Sequence, residues 1–309
     1  MQTEENNLQG PAVLGFERYE IPLKALFDRS AQSWILNDCA ETNQQLLKDR
    51  LGRDPEILKI LSNSELADIL ESISGLKEPD TSVLSAIYDA YNPLESPASD
   101  LLREKRNAFL ETLSNDPVVQ KALTNWHDIS DADKMAIAEH LHHLHAKSFG
   151  FEPARLEPCI RPPVGEIGQQ RMSYGSYDRT ENVIYYNIYS PKPDDMIPTF
   201  RKDFIDFAAT ILHEGDHAFQ NSVVKKLTNN ELEDPELDSF GRIMRDSTQG
   251  LYYLDQPRVP VAAYFSNPSE KHAYEFQGAM EVFLKSGCRI NPVSLQVTSQ
   301  ISPYSPLPH

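Results

Sequence analysis

Apolar side chains recur at helical intervals through the first half of the chain. Leu26, Phe27, Trp34, Ile35, Leu46 and Leu47 predict helix over residues 24–50. Ile57, Leu58, Ile60 and Leu61, then Leu66, Ile69, Leu70 and Ile73, predict one or two helices from Pro55 to Ile73. Asn63 or Ser64 is the expected cap of the second, and Gly75 its close. Val83 to Tyr91 makes a short helix, and the prolines and serines of Asn92 to Ser99 break the pattern. Helices are expected at 99–114, 116–126 and 130–148, the last capped by Ser130 or Asp131. In that helix Met135, Ile137, Ala138, Leu141 and Leu144 mark the buried face. His140, His142, His143 and His145 fall largely outside it and are expected in solvent.

The pattern changes near residue 151. Pro153, Pro158, Pro162 and Pro163 punctuate the chain, and two extended runs follow at 170–178 and 182–189. Val183, Tyr185, Asn187 and Tyr189 alternate with Ile184, Tyr186 and Ile188, as a strand requires. Arg179 to Asn182 is the expected hairpin turn. Tyr174, Tyr177 and Asn187 are candidates for a cleft, with packing or hairpin surface as the alternative. Helices ahead of a small sheet, with more helix behind it, predict an α+β fold.

Behind the hairpin, residues 201–214 contain neither glycine nor proline, and Phe204, Phe207, Ala208, Ile211, Leu212 and Ala218 sit at helical spacings. This helix carries His213-Glu214-Gly215-Asp216-His217. Histidines four residues apart leave one helix face a turn apart, and two such nitrogens reach one zinc ion. Glu214, on the rim of that face, is placed to deprotonate a water at the metal. Gly215 costs about 1 kcal/mol in a helix interior and implies that something packs closely there. Asp216 lies off the metal-facing side and is expected to be structural.

A zinc hydrolase takes a third protein ligand, either a histidine soon after the helix or an acid on a later one. Residues 218–260 contain no histidine. Pro268 or Ser269 can start a helix running to about Lys285. Glu270 in its first turn is the chosen third ligand, and Ala273, one turn later, would let the two helices approach closely. His272 is expected on the surface or behind the ligands.

His-Glu-x-x-His on one helix and Glu270-Lys271-His272-Ala273 on a later one resemble the glutamate-type zincin metallopeptidases, the thermolysin-like branch in its broad sense. The resemblance spans roughly residues 165–285. It implies Zn²⁺ held by His213, His217 and Glu270, with Glu214 as general base. It also implies a sheet edge above the metal that pairs with an extended peptide. Peptidases of this type often place a tyrosine or histidine to donate to the developing oxyanion, and Tyr264 is the candidate. The family's aspartate after the second motif has no counterpart, because Tyr274 follows Ala273. The implied organisation is a helical region at 1–150, a zincin-like catalytic domain at 151–290 and an extension at 291–309. The implied activity is zinc-dependent endopeptidase action on a protein or peptide substrate. The alternatives are a zinc hydrolase acting on a small-molecule amide and a non-catalytic binding protein with a vestigial site.

Composition narrows the partners. The 309 residues carry 46 acidic against 29 basic side chains, a net charge of −17, which disfavours nucleic acid. Residues 229–238 are strongly acidic and read as a solvated loop or helix start. Cys39, Cys159 and Cys288 are too few and too scattered for a disulfide scaffold. No apolar run reaches the roughly 18 residues a membrane span needs, and the polar N-terminus is not a signal peptide. The expected location is the cytoplasm, or a cytosol reached without a classical signal peptide. An effector or toxin, with its N-terminal helices serving recognition, is compatible with these features.

Overall fold

The computed structural model describes residues 40–73, 76, 79–91, 97–162, 173–187, 203–248 and 266–288. Gly75, Tyr264, Ile188, Tyr189, the start of the helix expected at 24–50 and the extension from 291 lie outside them. In chain order the helices are α1 (Ala40–Arg53), α2 (Asn63–Ile73), α3 (Thr81–Ala90), α4 (Pro97–Asn115), α5 (Pro117–Asn125) and α6 (Asp131–Phe149). Strands β1 (Arg155–Cys159), β2 (Gly175–Asp178) and β3 (Val183–Asn187) follow, then α7 (Phe204–Thr228), α8 (Asp238–Ser247) and α9 (Pro268–Lys285). The architecture is α+β, mostly helical with one small sheet.

Local chemistry accounts for the helix ends. Asp116 accepts from the N–H groups of Val118 and Val119, with Pro117 opening α5. Ser130 caps α6 through Asp133 N–H, and Gly150 closes it at a φ of 76°. The cap of α2 is one residue earlier than expected. Ser62 Oγ accepts from Glu65 N–H at 3.3 Å, and Glu65 Oε2 accepts from Ser62 N–H at 2.8 Å. This is the reciprocal Ser-x-x-Glu capping box, which neither Asn63 nor Ser64 can form with Glu65.

Helix α7 is the hub. It packs against α9, α6, α8, β2 and β3, while α8 leans on α2 and α6 on α4. One continuous apolar core runs from Leu66 and Leu70 through Phe109 to Phe207, Phe219 and Phe276. Arg242 of α8 ties α2 to this frame through Asp68 and Glu71, and also binds Asp238 of its own helix.

The histidines of α6 divide. His143 is exposed, and its Nδ1 lies 2.7 Å from the Glu139 carbonyl. His140 pairs with Asp116 at 2.8 Å. Contrary to expectation, His142 and His145 are fully buried, whereas Met135 is 38% exposed. The buried stripe of α6 is Lys134, Ile137, Ala138, Leu141, His142, His145, Ala146 and Phe149. Because α4 and α7 both cover this helix, its buried face is wider than the aliphatic residues alone suggest. His145 stacks on Phe276 at 4.8 Å and meets Phe149 edge-on at 4.7 Å.

The sheet order is β1-β3-β2, with β1 parallel and β2 antiparallel to β3. The β2–β3 hairpin turns where expected. Asp178 Oδ1 accepts from Thr180 and Glu181 N–H, and Asn182 takes a φ of 53°. Strand β1 was not expected, because Pro158 interrupts it. Among the described residues β1 pairs on one side only, and an edge strand accommodates a residue without an N–H. Asn187 fastens the far end of the sheet. Its amide donates to the Arg161 and Ser173 carbonyls, and its oxygen accepts from Arg161 N–H.

Candidate metal centre

Asp203 caps α7 by accepting from Asp206 N–H, and the helix then runs unbroken for 25 residues. Unbroken helix places His213 and His217 one turn apart on one face, their ring centroids 4.9 Å apart. Asn267 caps α9 through Ser269 N–H with Pro268 at its start, so Glu270 falls in the first turn. Ala273 is fully buried and offers only a methyl group where α9 meets α7.

The two helices bring three donors together. Glu270 Oε2 lies 3.6 Å from His213 Nε2, and Glu270 Oε1 lies 3.6 Å from His217 Nε2. All three ligand atoms fall within 4.8 Å of one another. Tetrahedral ligands at zinc–nitrogen and zinc–oxygen distances stand roughly 3.3 Å apart. The two carboxylate–imidazole spacings lie within a few tenths of an ångström of that value, and the donor set is one that zinc takes. The expected triad of His213, His217 and Glu270 is present and forms a zinc-binding site. It matches a zincin-type His-Glu-x-x-His active site.

Comparison of the whole chain with protein-family models, curated proteins and solved structures finds no match. The likeness to zincins is therefore carried by the site and its supporting helices.

Electrostatics bind the triad together. Burial opposes ionisation of Glu270, but His217 and His213 beside it hold its carboxyl well below the usual range. Burial works against a charge on His217 too, yet Glu270, with Glu214 and Asp216, raises it to about 9. A zinc ion here would be held by His217 in its neutral form and by the Glu270 carboxylate in its ionised form.

Glu214 is almost wholly enclosed and stands under β2. Burial pushes its carboxyl up; His213 and His217 pull it down, Glu270 pushes it up, and a backbone hydrogen bond from Tyr177 pulls it down. Among the described strands β2 is an outer member of the sheet and the one over the motif. The Tyr177 side chain straps it there. Its hydroxyl donates to Asn182 Oδ1 at 2.9 Å and accepts from Asn221 Nδ2 of α7 at 2.7 Å.

Gly215 answers the need for close packing. A Cβ there would come within 2.9 Å of Nδ1 of both His142 and His145. Asp216 is fully buried and structural, as expected. Its Oδ2 accepts from His272 Nδ1 and from Gln220 Nε2, each at 2.7 Å. His272 lies behind the ligands, against Phe240.

Three further residues stand beside the triad: Tyr274, Gln220 and Ser269. Tyr274 meets the His213 ring at 4.6 Å. Burial, then the Glu270 and Glu214 carboxylates, push its phenol pKa up, so it keeps its proton. Its position four residues after Glu270, on the same helix face, was the available signal. Gln220 and Ser269 meet His217 Nδ1, each at 3.2 Å.

Proposed function

We propose that this protein is a zinc-dependent endopeptidase that hydrolyses a peptide bond in a protein or peptide substrate. The observation that carries the reading is the cluster of His213, His217 and Glu270 with the enclosed Glu214 carboxylate beside it. A zinc-dependent hydrolytic mechanism follows from that ligand geometry. Among the described residues no helix is long and apolar enough to cross a membrane.

His213, His217 and Glu270 hold the ion. Bound zinc supplies Lewis acidity toward a carbonyl oxygen and lowers the pKa of a water. Glu214 takes the proton of the attacking water, and its raised pKa suits it to pass that proton to the leaving amine nitrogen. Tyr264, the donor implied by the family resemblance, lies outside the described residues. Among the described residues Tyr274 is the tyrosine whose phenol feels both carboxylates of the site, and we assign it the role of donating to the developing oxyanion. Strand β2, over Glu214, is the assigned partner for an extended substrate.

The test is turnover of a quenched-fluorescence peptide library by zinc-loaded protein, beside Glu214→Gln. The reading expects cleavage that the substitution abolishes while zinc stays bound. Cleavage undiminished in the zinc-loaded variant would remove Glu214 as the base. No cleavage of any peptide or protein by the zinc-loaded wild type would remove the endopeptidase reading.

A further inference from the structure

Behind His217 the polar groups of α7 and α9 have only one consistent arrangement. Gln220 Nε2 lies 2.7 Å from Asp216 Oδ2 and 3.0 Å from the Ser269 carbonyl. Both are acceptors, so the amide nitrogen must face them. Its oxygen then faces the other way, where it accepts the Ser269 hydroxyl at 2.6 Å and lies 3.2 Å from His217 Nδ1. With the Ser269 proton committed to Gln220, Ser269 Oγ presents a lone pair to the same ring nitrogen at 3.2 Å. Two acceptors meeting at Nδ1 call for a proton there, which leaves the Nε2 lone pair facing Glu270 and the metal.

We infer that Gln220, oriented by Asp216 and Ser269, is a positioning residue that locks His217 in its Nδ1–H tautomer and so sets zinc affinity. The inference rests on the zinc reading of the site. The lock reaches deeper than one pair, because Asp216 Oδ2 also accepts from His272 Nδ1 of α9. All of these groups except His217 itself are buried, with water largely excluded as a substitute partner. An amide flip would set the Gln220 oxygen against a carboxylate and a carbonyl, which cannot donate, so both contacts would change from attraction to repulsion. The α7–α9 packing that brings Glu270 to the metal also brings Ser269 to Gln220, so ligand and lock assemble together.

The test is zinc affinity, read by competition with a chromophoric chelator, in wild type, Gln220→Leu, Ser269→Ala and Ser269→Thr. Loss of partners behind a metal ligand typically costs 10- to 100-fold in affinity. Gln220→Leu is expected to lose about that much while the zinc-free protein still unfolds in one cooperative transition, at a midpoint lowered by the buried partners left unpaired. Ser269→Ala is expected to lose several-fold, and Ser269→Thr to restore wild-type binding. Proton NMR of zinc-loaded wild type should show a slowly exchanging His217 Nδ1–H that Gln220→Leu loses. Wild-type affinity in Gln220→Leu overturns the inference and leaves the zinc reading intact; so does a proton found on His217 Nε2. If Gln220→Leu does not fold, unchanged affinity in Ser269→Ala overturns it. A wild type that binds no zinc overturns the inference and the zinc reading together.

Discussion

Gly175 of β2 rests directly on Glu214 of α7. A Cβ at position 175 would fall 2.9 Å from Glu214 Cγ, 3.1 Å from its Oε1 and 3.2 Å from Thr210 Cγ2. The sheet thus shuts Glu214 away from bulk water, and the close approach holds its carboxylate in one place beside the metal ligands. Gly175→Ala should push the carboxylate aside while leaving the three ligands where they are. Misplacing a reacting group by about 1 Å can cost on the order of 100-fold in rate. We expect kcat to fall by about 10- to 100-fold with zinc content unchanged. Steady-state kinetics beside metal analysis checks this, and unchanged kcat would show that β2 does not position the base.

Gly215→Ala tests the other face of the same helix. Alanine gains about 1 kcal/mol of helix propensity. Against that stands the collision with two buried imidazoles at 2.9 Å, and overpacking a tight core costs about 1–3 kcal/mol. The imidazoles belong to a fully buried layer and have little room to retreat. The expected outcome is net destabilisation of up to about 2 kcal/mol, seen as a lower midpoint in urea. A raised midpoint would mean that α6 moves away freely.

The same histidines should make the protein sensitive to acid. Burial, helped by His143, holds His142 down to about 4. Burial holds His145 down to about 3; Asp216 opposes this, and His142 and His272 add to it. His142 Nε2 accepts from Ala154 N–H at 2.8 Å, which fits a neutral ring. In the unfolded chain both rings take up protons as pH falls through about 6.5. In the folded chain they stay neutral until about 4 and about 3. The unfolded state therefore binds more protons over that window. Stability present above pH 6.5 is lost as pH falls, by about 1.4 kcal/mol per pH unit for each histidine. Urea unfolding at pH 7, 6 and 5 should show the decline, and His145→Gln should flatten it. A decline of the same slope in that variant would contradict the assignment.

Tyr274→Phe separates the phenol from the ring. Phenylalanine keeps the face against His213 and removes the donor. Loss of one oxyanion donor typically lowers kcat by about 100- to 1,000-fold. That fall is expected here with zinc affinity and KM little changed. If Tyr264→Phe produces it and Tyr274→Phe does not, the role belongs to Tyr264.

The metal centre was legible in the sequence because each of its parts is local. His213 and His217 need only helical spacing, and Glu270 needs only a capped start at Asn267 and Pro268. The hairpin and the helices from α3 to α6 were legible from periodicity for the same reason. What escaped depends on partners far along the chain. Gln220 gains its meaning from Ser269 on another helix. His142 and His145 look like surface residues until α4 and α7 are seen to cover α6. Strand β1 was hidden by Pro158, which only an edge position reconciles with pairing. Helical spacing puts Tyr274 on the face of Glu270, but its contact with the His213 ring needs the packing of α9 on α7.

The central claim is a three-ligand zinc site, and the most direct measurement is zinc per chain by mass spectrometry. Wild type and Glu270→Ala, each reconstituted with zinc and exchanged into metal-free buffer, are compared side by side. About one zinc per wild-type chain, falling sharply in the variant, is the predicted result. No zinc in the wild type after reconstitution, or full retention by Glu270→Ala, would contradict it.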